Sequence, residues 1–144
     1  MTVIRPIAVE DAEAVAELVL QLGYERTPAQ IADWIAALAG REHEQQAFVA
    51  CMGAEVVGWI EVAVVRHLQN EPFALIGGLV VKEGYRDGGV GRRLCEEAER
   101  WAREQGSRVM RVTSRSTRER AHAFYLRDGY IQVKMSCVFE KPLR

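Results

Sequence analysis

The sequence predicts an α+β domain in which a mixed, mostly antiparallel sheet is flanked by helices on both faces. Apolar residues alternate or run together over strand-like lengths, and elsewhere they recur at helical spacing. In one segment a strand leads through a glycine loop into a helix and then into another strand, which is the pattern of two parallel strands joined by a helical crossover. The other predicted strands follow one another as hairpins. The predicted order along the chain is βααβββαβαβ.

The N-terminal quarter predicts an edge strand and two helices. Residues 3–7 alternate weakly and include Pro6, which edge strands tolerate. The first helix follows Glu10-Asp11 and ends at Gly23. In the second helix Thr27 is the expected N-cap and Pro28 the first helical residue. Its apolar face is expected to comprise Ile31, Trp34, Ile35 and Leu38, with an end at Gly40.

The middle of the chain predicts three strands. Apolar runs over 47–52 and 56–65 around a short turn indicate a hairpin, and residues 73–81 indicate a third strand. Gly77 and Gly78 stand in the middle of that strand. Glycine weakens a strand and often marks a bulge or a close backbone approach, so we expect one of the two here.

The last third predicts a helix, a short strand, a second helix and a final strand. The first helix runs to about Gln105, and the buried strand covers 109–113. Thr117 is the expected cap of the last helix over 118–127. Alternation over 130–140 predicts a final strand or pair of strands.

The stretch between the third strand and its helix has the chemistry of a phosphate-binding loop. Glycines in 86–91 allow positive φ and close ligand approach, and a helix N-terminus attracts anions. A Walker loop requires Lys-Ser/Thr after its last glycine, but Arg92-Arg93 follow here. A dinucleotide fingerprint requires Gly or Ala where Leu94 stands. The ligand class therefore has to come from elsewhere.

Arg86-x-x-Gly89-x-Gly91, preceded by Leu79-x-Val81, resembles the pyrophosphate loop of the GNAT superfamily of acyl-CoA-dependent N-acyltransferases. A second resemblance lies near the C-terminus, where the late motif Asn-x-x-Ala-x-x-Phe-Tyr-x-x-x-Gly-Phe is matched. The matching residues are Ala121, Phe124, Tyr125 and Gly129, with Tyr130 as the aromatic. Ile4-Arg5-Pro6 followed by Glu10-Asp11 also resembles a GNAT N-terminus.

The resemblance implies a GNAT-like fold and acetyl-CoA as co-substrate, with no metal. It implies that main-chain groups of the third strand bind the pantetheine and loop amides bind the diphosphate. The carboxylate of Asp87 would repel a diphosphate, so we expect Asp87 to form an ion pair with Arg86. Arg118 replaces the motif's Asn, which puts one pantetheine contact in doubt, but arginine is suited to a phosphate. The implied cofactor-binding residues are Leu79, Val80, Val81, Arg86, Asp87, Gly88, Gly89, Val90, Gly91, Arg92, Arg118 and Tyr125.

The implied reaction moves an acetyl group directly to a primary amine. Tyr125 occupies the position from which a phenol protonates the departing thiolate. Glu61 is the expected general base, with Glu71 and His122 as alternatives. Carboxylates at 25, 33, 61 and 71 suggest an acidic acceptor cleft for a polyamine, an aminoglycoside-like sugar or a lysine. The Gly23–Thr27 turn, the second helix with Asp33 and Trp34, and the loop over 66–72 are expected to set specificity.

Composition narrows the partners. The formal net charge of −1 over 144 residues argues against nucleic acid. Three cysteines without metal-like spacing suggest reduced thiols in a cytoplasmic protein, and no segment reads as a membrane span. We expect a single domain over 1–144, a small-molecule or peptide amine acceptor, and a possible homodimer. The competing functions are an acyl-CoA-binding module without turnover and a nucleotide-binding α/β domain.

Overall fold

The computed structural model describes residues 1–144, which divide into two units, Met1–Val112 and Thr113–Arg144. The prediction of a single domain stays a prediction. The first unit contains five strands, three α-helices and a short 3₁₀ helix, Val9–Asp11. The strands are β1 (Thr2–Pro6), β2 (Gln45–Met52), β3 (Glu55–His67), β4 (Asn70–Val81) and β5 (Met110–Val112). The helices are α1 (Ala12–Leu20), α2 (Pro28–Ala36) and α3 (Val90–Glu104).

The five strands form one sheet in the order β1-β2-β3-β4-β5. The first three pairings are antiparallel, and β4 pairs with β5 in parallel through the α3 crossover. The predicted mixed, mostly antiparallel sheet is therefore confirmed. The edge position of β1 is confirmed as well, and it leaves the missing donor of Pro6 without a cost to the ladder.

Helices cover both faces of this sheet, as predicted. On one face, α1 and α2 pack their apolar stripes onto Val49, Trp59 and Val80. On the other face, α3 lies so close to β3 that a Cβ on Gly58 would come within 3.0 Å of the Leu94 side chain. The N-terminus of α2 forms as expected, because the Thr27 hydroxyl accepts from the Gln30 amide at 3.1 Å.

Several element boundaries differ from expectation. The helical face of α2 ends at Ala36, and residues 37–40 continue only as turns. Trp34 was expected on the buried face but is 54% exposed. The strand expected over 109–113 is reduced to three half-buried residues in β5. No helix of the chain combines the length and the apolar composition that a membrane crossing requires.

The second unit holds one helix, α4 (Glu119–Arg127). Its N-cap is Arg118, and no side chain caps it, so the predicted cap by Thr117 is wrong. The predicted final strand over 130–140 is also wrong. Those residues have no strand pairing, and Ile131, Val133 and Met135 are exposed. Alternation alone cannot make a strand, because a strand requires a hydrogen-bonding neighbour.

Candidate acceptor cavity and cofactor-binding loop

The predicted irregularity at Gly77 is a β-bulge. Glu61 pairs with Gly78 and Val62 pairs with Ile76, so that Gly77 is an extra residue on β4. At Gly78 the close approach is made by a side chain and not by another backbone. A Cβ on Gly78 would lie 2.5 Å from Cη2 and 2.8 Å from Cζ3 of Trp59, so glycine leaves the space that the indole occupies. The two glycines thus make room for two β3 side chains, Trp59 and Glu61.

The bulge also marks the point where β4 loses one neighbour. Pairing with β5 covers only residues 74–76 of β4, whereas pairing with β3 continues to Val81. One edge of β4 beyond Ile76 therefore has no strand partner. The positions predicted to bind pantetheine, 79–81, lie on this open edge. An extended ligand can bind such an edge as an added strand would.

The open edge leads into the glycine loop. Gly89 is the N-cap of α3 with φ +79°, a conformation that favours glycine. The first hydrogen bond of the helix runs from the Arg93 amide to the Gly89 carbonyl at 3.1 Å. The earlier amides of Val90 and Gly91 have no acceptor inside the helix, and no side chain caps them. Residues 86–89 are exposed to solvent, so an anion can reach this helix N-terminus.

Arg86 does not pair with Asp87, contrary to expectation. Its Nε donates to the Val81 carbonyl at 3.2 Å, and its Nη2 donates to the side-chain oxygen of Gln21 at 2.9 Å. The guanidinium thus joins the end of β4 to the end of α1 and holds the start of the loop. Asp87 is exposed and free of ion pairs. Among the neighbouring arginines, Arg92 pairs with Glu96 at 3.3 Å.

A cavity of about 290 Å³ lies in the first unit, between the α1/α2 layer and the sheet. Most of its wall is apolar, with three aromatic side chains, Tyr24, Trp34 and Trp59. Its charged residues are Glu61 and Arg26. The remaining lining residues are Ile7, Val15, Val19, Leu22, Ile31, Ile35, Leu38, Gln45, Ala47 and Gly77.

Glu61 has no hydrogen-bond donor and no ion-pair partner. Burial alone raises the pKa of this carboxyl above its ordinary value, because the surrounding apolar wall disfavours the charged form. Its Oε1 would lie 3.2 Å from a Cβ on Gly77, so the carboxylate rests directly over the bulge. A carboxylate of this kind can accept a proton at a pH closer to neutrality than a solvated glutamate does.

The four acidic positions expected to form a cleft do not come together. Of these, only Glu61 lines the cavity, and Glu25, Asp33 and Glu71 are exposed elsewhere. Arg26, which the sequence did not single out, is the other charged residue at the cavity. The sequence predicted that the Gly23–Thr27 turn, which contains Arg26, sets specificity. No pattern in the neighbouring residues indicated that Arg26 would be the side chain of this turn that reaches the cavity.

Tyr125 and His122 lie in the second unit, on α4. The Tyr125 ring contacts Phe124 and Tyr130 edge to face, at centroid distances of 5.3 and 5.6 Å. Nε2 of His122 lies 2.9 Å from the Arg115 carbonyl oxygen, which favours a packing role for this residue over a role as base. Arg118, at the start of the same helix, is exposed.

Comparison with known proteins agrees with this architecture. The aminoalkylphosphonate N-acetyltransferase of Salmonella typhimurium is 35% identical over 85 residues, which are 58% of this chain and about half (55%) of that protein. The aminoglycoside 6'-N-acetyltransferase AAC(6')-Ih of Acinetobacter baumannii superposes with a TM-score of 0.84 at 18% identity, over 99% of both chains.

A third relative was solved with the ligand that the loop geometry suggests. The aminoglycoside N-acetyltransferase AAC(6')-Iy in complex with CoA superposes with a TM-score of 0.86 at 16% identity, over 99% of this chain and 96% of that one. At such identities the likeness shows the fold alone. The profile of the acetyltransferase (GNAT) family, however, matches residues 10–130. The chain belongs to the GNAT acetyltransferase family.

Proposed function

We propose that this protein transfers an acetyl group from acetyl-CoA to the primary amine of a small acceptor. The observation that carries the proposal is the open edge of β4, which ends at the uncapped N-terminus of α3. An extended thiol arm and a diphosphate need these two features next to each other and in this order. The GNAT family membership and a CoA-bound relative of the same fold support the choice of co-substrate.

The pantetheine lies along residues 79–81 in this proposal, and the diphosphate lies at the amides of 88–91. Gly89 is required because its positive φ turns the loop into the helix. Arg86 positions the start of the loop, since its guanidinium bonds both the Val81 carbonyl and the Gln21 side chain. Arg92 and Arg118 supply positive charge for the phosphates, and Asp87 points its charge into solvent.

The amine enters from the cavity on the Glu61 side. Its nitrogen attacks the thioester carbonyl, so that the C–N bond forms and the C–S bond breaks. Glu61 takes the proton that the nitrogen loses, directly or through one water. The raised pKa of Glu61 suits this role, because a base works best near the operating pH.

The departing thiolate takes a proton from the hydroxyl of Tyr125. The assignment rests on the family motif that Tyr125 matches. A phenol with a pKa of about 10 protonates a thiolate of about 8.5 only uphill, so a short hydrogen bond to the sulfur is required. General-acid help of this kind is worth roughly 10²- to 10⁴-fold in rate.

The acceptor of the Salmonella relative suggests a small amine. That protein is named for aminoalkylphosphonates, and the cavity here, at about 290 Å³, is at the lower end of ligand cavities. The aminoglycoside enzymes of the same fold act on far larger amines. We therefore place the acceptor of this protein among small amines.

The test is release of free thiol from acetyl-CoA in the presence of a panel of small primary amines. We expect thiol release that depends on the amine, and we expect Tyr125→Phe to lower kcat about 10²- to 10⁴-fold with CoA binding retained. Tyr85→Phe is the matched control, since the Tyr85 hydroxyl bonds only the surface carboxylate of Glu55.

Three outcomes oppose the proposal in different ways. CoA binding without turnover on any amine would indicate a binding module. Stabilisation by ATP or NAD, but not by CoA, would indicate a nucleotide-binding domain. Equal activity of Tyr125→Phe and Tyr85→Phe would remove Tyr125 from the reaction.

A further inference from the structure

Two opposite charges face one small apolar cavity without pairing with each other. Glu61 and Arg26 both line it, yet no ion pair joins them. We infer that the acceptor is a small amine that carries an anionic group, with its amine at Glu61 and its anion bound by Arg26. The inference rests on the proposed acetyl transfer and adds the chemical class of the acceptor and the residue that selects it.

Arg26 is held in place and retains donors for a ligand. Its guanidinium carbon lies 5.5 Å from the centroid of the Tyr24 ring, and Nη1 donates to the Glu25 carbonyl at 2.8 Å. No carboxylate lies within ion-pair distance of it, although acidic residues are common on this surface. The other guanidinium N–H groups are left for a carboxylate or phosphonate, which arginine binds through two parallel hydrogen bonds.

The nearby helix N-terminus does not compete for that anion. The first turn of α2 is closed by a capping box, in which Thr27 and Gln30 each accept from the other's backbone amide. At this end of the cavity, the Arg26 side chain is therefore the group that can bind an anion. A change in anion binding after a substitution at Arg26 can then be attributed to that side chain.

The apolar walls strengthen the ionic contact at Glu61. Apolar and aromatic side chains make up most of the lining, and burial places this carboxylate in a low local dielectric. Arg26 is exposed, so its selectivity comes from paired hydrogen bonds to the anion rather than from desolvation. If a ligand carries an amine for Glu61 but no anionic group, the Arg26 guanidinium faces an apolar or cationic part of that ligand. A diamine would place its second ammonium in the cavity beside Arg26, where like charges repel.

The volume of the cavity favours a small acceptor. About 290 Å³ is at the lower end of ligand cavities, which suits an amine and an anionic group joined by a short hydrocarbon spacer. The indoles of Trp34 and Trp59 provide apolar surface for that spacer. A polycationic sugar does not match the charges, because it would place further cations beside Arg26.

The test compares amines of matched length. Propylamine, β-alanine, 2-aminoethylphosphonate and 1,3-diaminopropane differ mainly in the group opposite the amine. We expect kcat/KM to be about 10- to 100-fold higher for one or both anionic amines than for propylamine, and lowest for the diamine. The carboxylate and phosphonate arms show which anion Arg26 prefers.

The variants assign the effect to Arg26. Arg26→Ala should remove the advantage of the anionic amines, so that their kcat/KM falls to about that of propylamine with the same variant, and the loss should appear mainly in KM. Arg26→Glu should reverse the order in favour of the diamine. Arg41→Ala is the control, because that arginine pairs with Glu44 outside the cavity.

Calorimetric titration of β-alanine and the diamine into the protein reads the same preference without turnover. Wild-type protein that acetylates the diamine or propylamine as well as the anionic amines would overturn the inference and leave the proposed function standing. Absence of turnover on every amine would oppose the proposed function. In that case, tighter calorimetric binding of β-alanine than of the diamine supports the acceptor class, and equal binding overturns it.

Discussion

Asp11 and Glu61 are carboxylates shielded from solvent in the same unit, and their surroundings are opposite. Asp11 is 5% exposed, receives two guanidinium bonds of 2.8 Å from Arg5, and accepts the Ala8 amide at 2.8 Å. Glu61 has neither partner. The Arg5 bond accordingly holds the pKa of Asp11 below its ordinary value, whereas burial raises the pKa of Glu61.

The difference separates a structural carboxylate from one suited to chemistry. Asp11 fastens β1 to the turn that precedes α1, and its charge is fully compensated. Glu61 lies over the bulge of β4, where an uncompensated charge is costly to the fold. A carboxyl in a cavity whose pKa is perturbed by burial is a candidate for a functional site, which is consistent with the proposed role of Glu61.

The largest expected effect is on turnover. Glu61→Gln should lower kcat about 10²- to 10⁴-fold, because the amide cannot accept the proton of the amine. The free energy of unfolding at pH 7 should not fall, since the variant removes a buried charge that has no partner. Steady-state rates and urea unfolding measure the two quantities.

The pH profile of the wild type sharpens this prediction. The rate should rise with pH through the raised pKa of Glu61, so its acidic limb should lie above the ordinary glutamate value of about 4.3. Glu71→Gln is the matched control, because Glu71 is an exposed alternative base. A full loss of activity in Glu71→Gln, with Glu61→Gln unaffected, would transfer the role of base to Glu71.

The next largest effect is on stability. Asp11→Asn should lower the free energy of unfolding by about 1–3 kcal/mol, because it weakens the bidentate contact with Arg5 and leaves buried groups poorly paired. The kcat of the folded fraction should be unchanged. Urea unfolding at pH 7 and activity at low denaturant measure these effects.

The sign of the pH dependence follows from the lowered pKa of Asp11. The wild-type stabilisation is present above the unfolded value of about 3.9 and is lost as the pH falls toward the folded pKa. The difference in the free energy of unfolding between Asp11→Asn and the wild type should therefore become smaller as the pH falls. Glu44→Gln, which removes an exposed pair with Arg41, should change stability by less than about 1 kcal/mol. A difference for Asp11→Asn that grows in acid would contradict the assignment.

The smallest expected effect tests how the bulge positions Glu61. A Cβ on Gly77 would lie 3.2 Å from Glu61 Oε1 and 3.3 Å from its Cγ, so Gly77→Ala should displace the carboxylate by a few tenths of an ångström. We expect kcat to fall about 3- to 10-fold, since catalysis is sensitive to small misplacements. In the double variant with Glu61→Gln, the alanine should have no further effect on kcat. Additive losses would show that Gly77 acts through another group.

Local patterns in the sequence predicted what depends on neighbouring residues. The glycine loop with the α3 start and the Thr27 cap follow from residue types within a few positions. The irregularity at Gly77 and Gly78 was also predicted, because glycine inside a strand typically marks a bulge or a close backbone approach. The residues that occupy the space, Trp59 and Glu61, lie on the neighbouring strand.

Features that depend on distant residues could not be predicted. Arg86 was expected to pair with its neighbour Asp87, but it reaches Gln21, which lies 65 positions earlier. The position of Arg26 at the cavity depends on how α1 and α2 pack on the sheet. The exposed alternating residues at 131, 133 and 135 look like a strand, yet no strand within this chain pairs with them.

The extra residue in β4 has an evolutionary consequence. Deleting Gly77 would make the Val62–Ile76 and Glu61–Gly78 pairs successive, so pairing with β3 would become continuous and each residue would keep its face. The local bend and extra twist of the bulge would be lost. The Glu61 carboxylate would then lose the backbone on which it rests, and the open edge of β4 would leave the sheet in a different direction. A relative that has lost this one codon should therefore be impaired toward both of its substrates at once, even with every chemically active side chain still encoded.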